Sequence, residues 1–275
     1  MGLNTFVVPY AMHLENRSRL VEKLRAGGTL GGTVLLKGGE SEERYDTDHE
    51  VNFRQESYFQ YLFGVMEPDF WGCIEFDENS MKCVLFCPRL PTSYNVWMGR
   101  IKPAEEFRDH YEVDEARYVD ELAEYLSPRL DGGARAPLLL LNGQNSDSGN
   151  SYLPPNLPEP LGAAVKQSQT VVDTATLFPI LANNRVYKSA KEMDLMRHVS
   201  KVSSLAHVCT MRTIKPGMME YQAEATFSHY AYFHYGCRNV GYTSICACGP
   251  DPAVLHYGHA GAPNDQKIKN FDSKF

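Results

Sequence analysis

The chain has 275 residues, of which 43% are hydrophobic and 22% charged, values close to the globular average that exclude a disordered or fibrous chain. Its 27 basic and 34 acidic residues leave a net charge of −7 with no dense Lys/Arg run, so neither nucleic acid nor a membrane surface is the expected partner, because each is bound through a basic patch. The opening Met1-Gly2-Leu3-Asn4-Thr5-Phe6-Val7-Val8-Pro9 lacks the basic stretch and apolar core of a signal peptide and misses the myristoylation pattern at Phe6. No apolar run approaches the length of a bilayer span, and a cytoplasmic location is the expectation.

In chain order, residues 10–26 read as an amphipathic helix with Leu14, Val21 and Leu24 inward, stopped by Gly27-Gly28. Residues 32–36 read as a buried strand closed by Gly38-Gly39, and 40–50 as a charged loop. An aromatic helical turn follows through Tyr58, Phe59, Tyr61, Leu62 and Phe63, with Gly64 just past its end. Arg54 and Glu56 read as an ion pair at that helix start ahead of a ligand-facing pair. Residues 71–76 and 82–87 are two strands around the turn Asp77-Glu78-Asn79-Ser80, a hairpin signal. The next loop carries Trp97 and Met98 in otherwise polar company. Two readings stand there: the loop folds back on the core, or Trp97 offers apolar area to a partner or substrate.

Residues 103–110 read as a short acidic helix, Tyr118-Val119 as a strand, and 120–126 as a helix with Asp120 as its N-cap. Residues 138–141 are a buried strand, and 142–160, rich in Asn, Ser, Gly and Pro, a long surface loop. Strands alternating with helices make the first 180 residues an α/β domain able to fold alone. The texture then changes. Ser189-Ala190-Lys191-Glu192 is a capping box opening a long helix to about Arg212. Pro216-Gly217 separates it from a second helix, about 219–235, ended by Gly236. Glu192 and Glu220, each at a helix start, are read as serving capping and the helix dipole. Residues 239–246 read as a strand. Seven cysteines at 73, 83, 87, 209, 237, 246 and 248, an odd number without framework spacing, read as buried thiols.

The stretch Ala253-Val254-Leu255-His256-Tyr257-Gly258-His259-Ala260-Gly261-Ala262-Pro263 reads as a short strand, 253–257, opening into a small-residue loop. Alternation sets Val254 and His256 on one face, and small neighbours let another group approach the backbone closely. A histidine there donates a hydrogen bond, carries a proton or binds a metal, or else is an ordinary loop histidine. His-x-x-His is not a complete metal site, and the chain holds no His-Glu-x-x-His.

The succession Lys188-Ser189-Ala190-Lys191-Glu192-Met193, Lys215-Pro216-Gly217-Met218-Met219-Glu220, Tyr242-Thr243-Ser244-Ile245-Cys246 and Val254-Leu255-His256-Tyr257-Gly258-His259-Ala260 resembles the first part of the pita-bread catalytic domain of metallopeptidases. Phe53-Arg54-Gln55-Glu56-Ser57, Pro88-Arg89-Leu90-Pro91, Val96-Trp97-Met98-Gly99 and Asn145-Ser146-Asp147-Ser148-Gly149 add a closer resemblance to the prolidase family. The resemblance runs from about Val8 to Asn270. It implies an N-terminal aminopeptidase P-like mixed-sheet α/β domain, 1–182, and an incomplete pita-bread α+β domain, 183–275. It further implies hydrolysis of dipeptides with C-terminal proline or hydroxyproline, two manganese ions per subunit and a homodimer. His256 matches the family's substrate-side histidine, and Trp97 matches the loop tryptophan that reaches toward the partner's active site. His259 takes no role from the resemblance. The family's first metal-ligand Asp would come shortly after this motif. Here the chain reads Ile268-Lys269-Asn270-Phe271-Asp272-Ser273-Lys274-Phe275, and Asp272 aligns with the Asp preceding the ligand strand. The resemblance therefore implies that the ligand aspartates, histidine and glutamates fall outside this sequence. A chain without catalytic activity and a half-built second sheet are expected.

Overall fold

A computed structural model describes residues 2–258 and 264–270. It divides into two compact units: Pro9–Ser189, and the described residues before Pro9 together with those from Ala190 onward.

The larger unit is a mixed six-stranded sheet in the order β4-β3-β2-β1-β5-β8 with helices on both faces. Its elements are α1 (Ala11–Ala26), β1 (Gly32–Lys37), α2 (Ser57–Phe63), β2 (Trp71–Phe76), β3 (Met81–Cys87), α3 (Asn95–Met98), α4 (Ala104–Tyr111), β4 (Glu115–Tyr118), α5 (Leu122–Leu126), β5 (Leu138–Leu140), the two-residue strands β6 (Gly143–Gln144) and β7 (Ser151–Tyr152), α6 (Leu161–Gln167), β8 (Val172–Asp173) and α7 (Leu177–Val186). β1 pairs antiparallel with β2, Val34 opposite Ile74, and parallel with β5, Val34 opposite Leu139. The hairpin β2–β3 turns where expected. Asp77 accepts from the Asn79 and Ser80 amides and the Ser80 hydroxyl, and these bonds hold its carboxyl below the usual carboxylate range.

Side chains alternate across this sheet. Val34 and Leu36 join one apolar layer with Leu20 and Leu24 of α1, Phe59 and Phe63 of α2, Tyr111 of α4 and Leu181 of α7. Leu35 joins the opposite layer with Phe86, Leu126 of α5 and Leu161 of α6. Cover on both faces explains why these strands read as continuous apolar runs, and each buried Leu or Phe contributes about 1.5–3 kcal/mol.

α1 departs from its expected face. Val21 and Leu24 are buried, but Leu14 is exposed, and His13, Asn16 and Arg17 are buried instead. Those three polar side chains capture the C-terminal carbonyls of α2. The His13 Nδ1–H donates to Tyr61 O (3.1 Å), Asn16 Nδ2 to Tyr61 O (3.0 Å) and Arg17 Nη1 to Leu62 O (2.8 Å). A helix end leaves such carbonyls without partners and carries partial negative charge, so a cation there is favourable. At the other end of α2, the Glu56 carboxylate caps the helix, accepting from Tyr58 N (3.0 Å) and Phe59 N (2.7 Å). Glu56 thus serves the helix start, its carboxylate bound by the first amides of α2.

Three further expectations change. Asp120 is not an N-cap: α5 follows a 3-10 turn, Val119–Glu121, with no side-chain cap, and Asp120 pairs with Arg89 at 2.7 Å. The segment 142–160 is not all loop, because β6 and β7 form a ribbon whose turn is held by Asn145 Oδ1, which accepts from Asp147 N and Ser148 N (both 2.9 Å). Of the seven free cysteines, Cys73, Cys83, Cys87 and Cys248 are buried, while Cys209, Cys237 and Cys246 are half-buried.

The second unit rests on α8 (Ala190–Thr213) and α9 (Glu220–Tyr235), packed through Val202, Ala206 and Ala231 with Phe227 and Tyr230 beside them. Gly236 ends α9 in the left-handed conformation, φ 73°. The strands expected at 239–246 and 253–257 do not form. The first is irregular, and the second is a 3-10 turn, Asp251–Ala253, followed by a turn through Gly258. A strand needs a neighbour for its backbone groups. Among the described residues of this unit, the pairing is a single antiparallel bridge, Met219 to Lys267.

Gly64 sits at φ 69°, and a Cβ there would fall on the His13 ring. Gly64→Ala is expected to destabilise the chain by about 2–5 kcal/mol, about 1–2 from left-handed backbone and about 1–3 from overpacking. A urea titration would show this as a lowered midpoint at unchanged slope.

Candidate substrate-binding segment

His256 lies in the turn after the 3-10 helix Asp251–Ala253, with its imidazole exposed. Its neighbours Val254 and Leu255 are exposed too, Leu255 at 82%, so the Val254/His256 shared strand face is not realised. The segment is anchored on either side of His256. Tyr257 Oη donates to Glu220 Oε2 (2.7 Å), and the Cys248 amide donates to Glu220 Oε1 (2.7 Å). The Gln266 amide reaches Glu220 Oε2 at 3.3 Å. The Glu220 carboxylate that accepts from it, then burial and the nearby Asp251 carboxylate, push the Tyr257 phenol well above its ordinary range.

Glu220 is 1% exposed. It stands at the first position of α9, as read from the sequence, yet its oxygens are taken up by the segment opposite rather than by the helix. The N-terminal backbone is served by Gln222, whose Oε1 accepts from Met219 N at 2.8 Å. Sequence reasoning missed this role, since nothing near Glu220 in the chain announces partners 28, 37 and 46 residues away. One turn along α9, Glu224 accepts from Asn264 Nδ2 at 3.0 Å. Burial first, then the Glu224 and Glu220 charges, raise the Cys246 thiol to about 11.

Trp97 belongs to the larger unit. It sits on the one-turn helix α3, behind the 3-10 turn Thr92–Tyr94, and is 83% exposed, with Val96 and Met98 exposed beside it. The reading in which this loop folds back on the core is thereby set aside. The turn is fixed from below: Asn95 Oδ1 accepts from Ile101 N (3.2 Å), and the Arg100 guanidinium meets both Glu106 oxygens at 2.7 and 2.6 Å.

The resemblance implies divalent metal, and the described residues do not fit it. Among them, no group of three or more His, Cys, Asp or Glu is placed to hold an ion. The nearest carboxylate to the motif by hydrogen bonding, Glu220, already accepts three hydrogen bonds. His259 and Asp272 lie outside the described residues.

Residues 13–137 match the aminopeptidase P N-terminal domain, and residues 194–273 match metallopeptidase family M24. The chain thus carries an aminopeptidase P-like mixed-sheet domain followed by part of an M24-like domain. It is 43% identical over 274 residues to the Xaa-Pro dipeptidase of Rattus norvegicus, covering 99% of this chain and 53% of that protein. It is 42% identical to the Homo sapiens Xaa-Pro dipeptidase over the same shares. The chain spans about half the length of these relatives. In structure it resembles aminopeptidase P of E. coli, TM-score 0.76 at 22% identity over 96% of this chain and 57% of that one, a likeness of fold. Proline aminopeptidase P II of Yersinia pestis gives TM-score 0.73 at 25% identity over 95% and 57%. No helix among the described residues is long and apolar enough to cross a membrane.

With its thiol raised to about 11, Cys246 is expected to react with iodoacetamide at a rate that climbs about tenfold per pH unit from 7 through 9 without a plateau, since only the thiolate reacts. Glu224→Gln is expected to bring the curve to lower pH. Peptide mapping by mass spectrometry would measure both, and a plateau beginning near pH 8.5 in the parent would contradict the environment described.

Proposed function

We propose that this chain serves the hydrolysis of dipeptides with C-terminal proline or hydroxyproline, contributing the substrate-binding part of a prolidase-type subunit. The observation that carries the reading is the 43% identity to a Xaa-Pro dipeptidase along 99% of the chain. A Xaa-Pro aminopeptidase acting on longer peptides is the rival, and its support is weaker, 32% over 92% for the probable enzyme of Penicillium rubens. The prolyl bond calls for a dedicated site because its imide nitrogen has no N–H and its ring crowds the scissile carbonyl.

In this reading, His256 donates to the bound dipeptide and to the oxyanion that forms as the carbonyl is attacked. Trp97 is offered across a homodimer, its apolar body laid against a substrate held by the other copy. The exposure of both side chains supports these roles. The proposed ion for a chain of the relatives' length is manganese, two per subunit. The described residues provide no ligand set, so we propose that the 275 residues do not hydrolyse dipeptides by themselves. A cytoplasmic setting is proposed with this, in keeping with seven free thiols. A non-catalytic role, pairing with a longer copy through the exposed Val96–Trp97–Met98 turn, is the second reading that the same exposure favours.

Gly-Pro hydrolysis with added manganese tests the proposal. The 275-residue chain is expected to show no turnover above buffer, and a chain extended to the relatives' length is expected to be active. There His256→Ala should lower kcat/KM by about 10²–10³, the usual loss of one oxyanion donor. Turnover by the 275-residue chain itself would overturn the inactivity.

A further inference from the structure

We infer that Glu220 is a positioning residue for the segment that carries His256, an inference that rests on His256 meeting the substrate. The carboxylate is buried at the start of a 16-residue helix. Among the described residues, no Lys or Arg forms an ion pair with it; its charge is met by the Cys248 amide, the Tyr257 hydroxyl and the Gln266 amide. The backbone around it reinforces the arrangement: Glu220 N donates to Gln266 O (3.1 Å), Tyr221 N to Asn264 O (2.8 Å) and Ile268 N to Met218 O (2.8 Å). A single carboxylate thus joins the start of α9, the chain eight residues before His256, the residue directly after it, and the segment at 264–268. His256 itself has no hydrogen bond or ion pair to the described residues. Its placement is therefore set by its neighbours' anchors, leaving the imidazole free to face a ligand. A buried acceptor of ionic character suits that task, because charge-assisted hydrogen bonds are short and roughly twice as strong as neutral ones. Glutamine in its place offers one acceptor oxygen where glutamate offers two.

Hydrogen exchange in the 275-residue chain tests the anchor without reference to activity. Glu220→Ala is expected to speed exchange at Cys248, Gln266 and residues 254–258 by at least about tenfold, leaving α8 and the last three turns of α9 within about twofold. Glu220→Gln should fall between. Equal acceleration throughout α9 would mean that Glu220 serves its helix rather than the loop, and would overturn the inference. Tyr257→Phe, which removes one hydroxyl, guards against a variant that does not fold: it should free 254–258 alone, and unchanged exchange there would also overturn the inference. Titration with Gly-Pro, followed by the His256 Hε1 resonance, tests the substrate arm. The parent is expected to respond and Tyr257→Phe to need about tenfold more dipeptide. A silent parent resonance would refute His256 as a substrate contact, while the exchange data alone would judge the anchor.

Discussion

Extended backbone must find hydrogen-bonding partners in a neighbouring strand, and β1 is where the larger unit meets that demand. It is paired along its length with β2 and over Thr33, Val34 and Leu35 with β5. Because β1 is antiparallel on one side and parallel on the other, it joins the hairpin half of the sheet to the crossover half. Its alternating side chains seed both apolar layers, Val34 and Leu36 in one and Leu35 in the other. The same demand governs the second unit by going unmet there. Residues 239–246 and 253–257 have strand composition, yet without a sheet edge to pair with among the described residues they settle into irregular chain and turns. Composition supplies the tendency to extend; a partner strand converts it into structure.

The features legible in the sequence are those whose signal is local. The β2–β3 hairpin was announced by its Asp77-Glu78-Asn79-Ser80 turn, whose aspartate binds the backbone two and three residues on. α2 was framed by Glu56 and Gly64, and α9 by Pro216-Gly217 and Gly236. Elements of two residues, such as β6, β7 and β8, are too short for any periodicity to register. The order of motifs carried the resemblance to the Xaa-Pro dipeptidases, where spacing alone left His256 between a ligand-facing histidine and an ordinary loop histidine.

Polar residues at positions reserved for apolar ones were the less legible part of the fold. On α1, His13, Asn16 and Arg17 turn inward and Leu14 outward, the reverse of an amphipathic reading. The cause is tertiary. The C-terminal end of α2 is buried against α1, and its carbonyls would otherwise be left without donors, each a loss of about 1–3 kcal/mol. Nothing in α1 alone foretells that a helix end 45 residues away will need three donors. Burial of Arg17 is tolerable because its guanidinium meets a helix C-terminus, where the aligned peptide dipoles favour positive charge.

Glu220 is the inverse arrangement. Its negative charge is buried at a helix N-terminus, where the dipole favours an anion, and its oxygens collect donors from three separate places in the chain. Burying an unpartnered carboxylate would be prohibitive, so the three donors and the carboxylate are mutually dependent: each donor lost raises the cost of keeping the charge inside. That dependence makes the node cooperative in a way that a row of apolar contacts is not. Among the described residues of this unit, where pairing is a single bridge, it is a specific constraint on the residues around His256. The sheet holds the larger unit by many equivalent bonds, so no single one decides its shape. Among the described residues, the side-chain bonds that tie the segment bearing His256 to α9 converge on Glu220, and its geometry consequently depends on the reach of that side chain.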